Sequence, residues 1–170
     1  DIRELRRWHV DAARRAVQAG FDIVYVYATH GYLLSHFLSR DWNRRNDEYG
    51  GSLENRVRLV REMIEDTKAA VGHKCAVAVR FSADGSGSGG GIIDSEEQRG
   101  MLEMLADLPD LWDINITDYS KEMGSSRFVK EAALEEYVAF AKQITSKPVV
   151  TVGRFKSPDT MVSQVKKGIV

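Results

Sequence analysis

At 170 residues, with 43% hydrophobic and 29% charged residues, the chain is long enough to bury one core and too apolar for disorder. A net charge of −1 and a pI near 6.5 leave no electrostatic footprint for nucleic acid or an anionic membrane, and a single cysteine, Cys75, excludes an internal disulfide framework and fits a reducing, cytoplasmic setting. No apolar run approaches the ~20 residues of a membrane span, and no signal peptide opens the chain. A helix that starts almost at once, without an initiator methionine, is read as the mark of a piece of something longer.

From Ile2 to Gln18 the apolar residues Leu5, Trp8, Ala12 and Ala16 recur at helical spacing and Gly20 supplies the stop, which predicts a helix leading into a strand over Asp22–Ala28. The β-type run Ile23-Val24-Tyr25-Val26-Tyr27 ends in a titratable pair, Tyr27 and His30, where a strand hands over to its loop. A long polar loop then runs to the turn Tyr49-Gly50-Gly51-Ser52. Ser52 is placed to cap a second helix, Ser52–Val71, with Leu53, Val57, Val60, Ile64 and Ala70 as its apolar stripe. Asn55 stands where a capping box would have Glu or Gln. Asn43, Arg45, Asp47 and Tyr49 read as a hydrogen-bonded network that shapes the loop.

Cys75–Phe81 reads as a buried strand, with Cys75 a small hydrophobe. The tract Gly85–Gly91 alternates Gly and Ser so regularly that a flexible, engineered linker in place of a longer loop is expected; a phosphate-cradling loop would need Lys-Ser/Thr or ordered Gly spacing. Asp94–Ala106 follows as a helix with Met101, Leu102 and Leu105 inward. Leu111–Thr117 alternates cleanly: Ile114 and Ile116, with Trp112, suit packing against helices, while Asp113, Asn115 and Thr117 suit a mixed barrel interior. Lys130–Thr145 is predicted as a helix and Pro148–Val152 as a strand ending in Gly153-Arg154. Ser157 and Pro158 start the last helix.

Helices and strands therefore alternate along the chain, which requires a parallel sheet with right-handed crossovers. A doubly wound sheet would want both faces apolar, so the alternation in the third strand favours an α/β fold of parallel (β/α) units, a partial TIM barrel in one domain over residues 1–170. An isolated half-barrel exposes its mixed face and two strand edges. Homo-oligomerisation, or association through that open face, is expected.

The segment HGYLLSHFLSRDWNRRNDEYGGSLENR resembles the signature of the old yellow enzyme family of FMN-dependent oxidoreductases, in which HGYL, N-x-R-x-D-x-YGGS and S-x-E-N-R recur together. The likeness continues through Val79-Arg80-Phe81 and Val152-Gly153-Arg154-Phe155 and fails at the Gly/Ser tract. It implies strands four to seven of a flavin barrel. Ene-reductases of the family carry His at the first position of the pair; Tyr27-Ala28-Thr29-His30, together with DIVYVY and SSRF, is instead similar to the trimethylamine, dimethylamine and histamine dehydrogenase branch. That resemblance implies oxidation of a small amine on FMN, with electrons passing to a 4Fe-4S cluster and on to an acceptor. By the same resemblance Tyr27 and His30 are the catalytic pair, Arg80 stands beside the flavin ring, Gly153 and Arg154 lie near its phosphate, and Asp118 or Glu122 supplies an acid after the sixth strand.

The chemistry agrees. Hydride loss from an amine needs the nitrogen lone pair free, and imidazole beside phenol can manage the proton. A guanidinium compensates charge at the pyrimidine end of a reduced flavin, and a Gly-Arg pair suits a phosphate. From spacing alone, Tyr27 could equally be a core aromatic with His30 a loop residue, Arg80 a salt-bridge partner of Asp113, and Arg154 a helix cap. An ene-reductase or a non-catalytic half-barrel scaffold are the competing functions. No metal ligands are expected in the chain itself.

Overall fold

A computed structural model describes residues 1–83, 95–116 and 128–170; the Gly85–Gly91 tract, Thr117, Asp118 and Glu122 lie outside the described residues. Helix α1, Ile2–Gln18, opens on Asp1, whose carboxylate accepts from the Arg3 amide at 3.1 Å. It closes where Gly20 takes a φ of +84° and donates to the Val17 carbonyl. The stripe Leu5–Trp8–Ala12–Ala16 is not the sealed side: Ala13 is the residue buried in the core, and Trp8 stands 57% exposed. Ile2, Leu5 and Val17 pack beside Ala13 against the core, and the Arg6 guanidinium meets Glu62 and Asp66 of α3, Leu53–Val71, each at 2.7 Å.

Strands β1 (Ile23–Ala28), β2 (Ala76–Ser82), β3 (Leu111–Asn115) and β4 (Val149–Thr151) are parallel and neighbour one another in sequence order. A doubly wound sheet would reverse its order at a switch point and cover both faces. Here one face is covered. Val26, Ala28, Val77, Val79, Phe81, Trp112 and Ile114, none more than 2% exposed, form one cluster with Val57, Val60 and Ile64 of α3 and with Met101, Leu102 and Leu105 of α4, Ser95–Leu105. On the opposite face Tyr25, Tyr27 and Val150 are 42%, 36% and 43% exposed. The architecture is a partial (β/α) barrel.

The segment predicted as loop contains a short helix, α2, Leu33–Leu38, which lacks a side-chain cap at Tyr32 and is held by burying Leu34 and Leu38. The remainder is braced as expected. Asn43 donates to the carbonyls of Phe37 and Tyr49 at 2.7 Å each, Arg45 pairs with Asp47, and the Tyr49 hydroxyl donates to Glu62 at 2.9 Å. Gly50 is required by contact: a Cβ there would stand 2.3 Å from the Arg45 carbonyl oxygen. Ser52 caps α3 through the Asn55 amide at 3.3 Å, while the Asn55 side chain reaches back to the Gly50 carbonyl at 3.1 Å in place of the usual acid. Arg56, 3% exposed, donates to the carbonyls of Leu38 and Gly51 and pairs with Glu97 of α4 at 2.6 Å. The motif letters thus form a clasp joining α2, the turn and two helices.

The helix predicted over Lys130–Thr145 is corrected to two short pieces, α5 (Glu135–Val138) and α6 (Ala141–Ile144). Ala132, at φ +59°, donates to the Gly153 carbonyl at 2.8 Å, which holds the start of the segment to the end of β4 and delays the helix. Tyr137 and Gln143 then bond three residues back, to Leu134 and Phe140, tightening the turns. The last helix, α7, spans Pro158–Lys166. Ser157 precedes it as expected but its hydroxyl makes no cap bond; its amide donates instead to Glu131 at 3.2 Å. Trp112 packs as predicted and donates from Nε1 to the Ala106 carbonyl at 2.9 Å. Cys75 is buried, and burial followed by the nearby Asp22 carboxylate pushes its thiol up, away from the reactive thiolate. Among the described residues, no helix is long and apolar enough to cross a membrane.

Candidate active site

Parallel pairing brings the carboxyl ends of all four strands to one rim, where (β/α) barrels build their sites. At the rim end of β1 the backbone turns through two successive left-handed residues, His30 at φ +55° and Gly31 at φ +69°. For a residue with a Cβ this costs roughly 1–2 kcal/mol. The turn folds the imidazole back over its own strand, so that His30 Nδ1 lies 2.6 Å from the Tyr27 hydroxyl oxygen. The predicted pair is thus a direct hydrogen bond. Tyr32 closes on the same phenol ring edge-on, at 5.5 Å between centroids.

Strand register sets what faces this pair. Tyr27 stands opposite Arg80 on β2, and Arg80 opposite Asp113 on β3. The guanidinium carbon of Arg80 sits 5.8 Å from the centre of the Tyr27 ring, within cation–π range, and its Nε is 3.7 Å from the Asp113 carboxylate. The salt-bridge reading of Arg80 holds, as a loose pair with Asp113, and the same side chain faces the phenol on the inner side of the sheet. One row below, burial and then the Asp113 carboxylate push the Tyr25 phenol up, with Arg80 acting in the opposite sense.

One row further toward the rim stands a tier that the sequence did not single out. Ser82 is in register with Asn115, and Thr29 extends the row from β1; all three are buried. The Thr29 and Ser82 hydroxyls are in close hydrogen-bond contact, Thr29 donates to Asn115 Oδ1 at 3.0 Å, and Asn115 Nδ2 lies 3.0 Å from His30 Nε2. The strand ends beneath are pinned as well, by Ala83 N–H to the Asn115 carbonyl at 2.7 Å and Gln98 Nε2 to the Ser82 carbonyl at 3.0 Å. Alternation had placed Asn115 on the inner face. Nothing in the sequence marked Thr29 or Ser82, since hydroxyl residues at strand ends are ordinary turn formers.

Gly153 and Arg154 follow β4 at the same rim. Gly153 has a φ of +157°, and a Cβ on it would stand 3.3 Å from Ala132 Cα, a tight approach in the chain's own packing. Arg154, at φ +58°, donates from Nη1 to the Val129 carbonyl rather than to a helix end. The structure therefore joins Tyr27, His30 and Arg80 into one cluster and sets Gly153 and Arg154 on the rim. Asp118 and Glu122, the candidates for the acid, lie outside the described residues.

Comparison with known proteins places this arrangement. Over its full length the chain is 37% identical to dimethylamine dehydrogenase of Hyphomicrobium sp. (strain x), of which it covers 24%. Among solved structures it is similar to 6-hydroxypseudooxynicotine amine oxidase from Pseudomonas geniculata N1 (50% identity, TM-score 0.91, 100% of this chain and 26% of that one). It is similar also to histamine dehydrogenase from Rhizobium sp. 4-9 (48% identity, TM-score 0.92, 100% and 25%). An old yellow enzyme homologue from Zymomonas mobilis superposes with a TM-score of 0.76 at 28% identity, over 99% of this chain and 46% of that one. The chain spans about a quarter of the length of the amine-oxidising relatives it matches. The sequence profile of the NADH:flavin oxidoreductase / NADH oxidase family matches residues 1–170, and with the parallel rim site already in view, the chain belongs to that family.

Proposed function

We propose that this chain is the part of an FMN-dependent amine-oxidising oxidoreductase that carries its acid–base pair. The observation that supports the reading is the 2.6 Å contact between Tyr27 Oη and His30 Nδ1 on the inner face, with Arg80 against the same phenol ring. The similarity to a dimethylamine dehydrogenase, a histamine dehydrogenase and an amine oxidase supports a small amine as substrate.

The residues fit a flavin. The inner face offers exposed Tyr25, Tyr27 and Val150 as a flat, partly apolar wall, with one guanidinium, Arg80, projecting into it. Arg80 would hold the pyrimidine end, and Arg154, whose guanidinium keeps N–H donors beyond the one given to Val129, the phosphate. Bound FMN would supply the two-electron acceptor for hydride leaving the carbon next to the amine nitrogen. As that C–H bond breaks, the nitrogen lone pair closes a C=N bond, so an ammonium must first lose its proton. The Tyr27–His30 pair takes up that proton at the rim, and Asp118 or Glu122 would complete the set from the loop after β3. In the whole protein a 4Fe-4S cluster would carry electrons onward to an acceptor. With a single cysteine in this chain, its ligands would come from elsewhere. A cytoplasmic location, and a partner surface covering the open inner face, belong to the same proposal.

The test is made on the whole protein. Amine-dependent reduction of an added electron acceptor, without turnover of an enone, is the expected result. Enone reduction without amine oxidation would assign the pair to an ene-reductase instead, and failure to quench flavin fluorescence at micromolar protein would leave only a scaffold.

A further inference from the structure

We propose that Glu131 is a positioning residue that holds the corner after β4, residues 153–157, so that Arg154 is presented to the phosphate of FMN; this rests on Arg154 being the phosphate's ligand. The support is a set of contacts between two short segments, 129–132 and 153–157. The Arg154 guanidinium donates to the Val129 carbonyl, the Ala132 amide donates to the Gly153 carbonyl at 2.8 Å, and the Ser157 amide donates to Glu131 Oε2 at 3.2 Å. The Lys156 amide and the Thr160 hydroxyl close on the same carboxylate. Ala132 and Arg154 stand at φ +59° and +58°, conformations that a residue with a Cβ keeps only where its surroundings impose them. To these contacts the first segment brings backbone groups of Val129 and Ala132 and the side chain of Glu131, so Glu131 can be changed without touching Arg154.

The same carboxylate decides where a phosphate can sit. A helix N-terminus attracts anions through its amides, and α7 begins a few residues beyond Arg154. Glu131 already accepts from that end, so a second anion there would meet a carboxylate. The phosphate is left to the Arg154 guanidinium, which keeps N–H donors beyond the one given to Val129. Desolvation opposes the charge on Glu131, but the bonds from Thr160, Lys156 and Ser157 outweigh it and hold the carboxyl below the ordinary glutamate range. Four residues on, Glu135 accepts from Gln164 at 2.7 Å and from Lys167 at 3.0 Å. One stretch of chain thus grips α7 near both ends, and a tilt of the helix would break contacts at either.

The experiment titrates the flavin-free whole protein with FMN and with riboflavin, which lacks the phosphate, and reads the quenching of flavin fluorescence. Unsubstituted protein should bind FMN more tightly than riboflavin. Glu131→Ala should cut that preference about tenfold, the worth of one charge-assisted hydrogen bond, and leave riboflavin affinity unchanged. Glu131→Gln, which keeps an accepting oxygen for the Ser157 amide, should restore most of the preference. A preference unchanged or raised in Glu131→Ala, affinities for the two flavins that fall together, or no recovery in Glu131→Gln overturns the proposal. Binding of neither flavin, or equal binding of both, by the unsubstituted protein would refute the phosphate role of Arg154 and the proposal with it. A preference lost in Arg154→Gln and kept in Glu131→Ala would retain that role and reject Glu131 alone.

Discussion

The two faces of the sheet differ in kind. Toward the helices, Val26, Val77, Val79, Phe81, Trp112 and Ile114 interlock with α3 and α4 and are sealed. On the inner side the same strands carry Tyr27, Arg80 and Asp113, then Thr29, Ser82 and Asn115. Because side chains alternate along a strand, each residue serves one face only. Stability and chemistry are therefore separable by parity. Substitutions on the outer face should change unfolding and spare the site's chemistry, and those on the inner face should do the reverse.

The sharpest test of that division is Trp112→Ala. It empties a fully buried site and removes one of the two hydrogen bonds to the Ala106 carbonyl, leaving that from Thr145, and should cost about 3–5 kcal/mol in urea unfolding. Tyr27→Phe is its counterpart: about 0.5 kcal/mol or less in stability, yet about a hundredfold in amine oxidation by the whole protein. Comparable losses of stability from both would abolish the distinction. A smaller effect, about 1 kcal/mol, is expected for Ser52→Ala, which removes the cap of α3 from the helix layer. The smallest is a pH effect from His9 of α1. Burial lowers its pKa, partly opposed by Asp66, so the unfolded chain binds the proton more readily than the folded one. Stability contributed this way is complete above the ordinary histidine value near 6.5 and is lost as pH falls below it toward the lower folded value. Urea midpoints measured across that window should slope upward with pH, and His9→Phe should flatten the slope.

The outer face was largely legible from sequence, because burial writes itself as periodicity. Met101, Leu102 and Leu105 and the alternation from Trp112 to Ile114 fell where predicted. Periodicity failed where polar contacts overrule it. Helix α1 seals Ala13 rather than Trp8 while Arg6 pairs with Glu62 and Asp66, and Ala132, tied to Gly153, stands where the helix predicted over Lys130–Thr145 is interrupted. Helix α2 escaped notice because six residues without a cap carry almost no pattern. In the candidate site, Tyr27, His30 and Arg80 are singled out by a motif, and the contact between the first two is direct. Thr29, Ser82 and Asn115 act through one another across three strands, and no spacing along the chain records that adjacency.

His30 occupies a backbone conformation that glycine or asparagine would adopt at less cost. A library of variants ranked only by thermal endurance should therefore enrich those two residues at position 30, yielding hardier proteins in which the phenol has lost its imidazole partner. Screening such a family for robustness and for turnover would pull this one position in opposite directions.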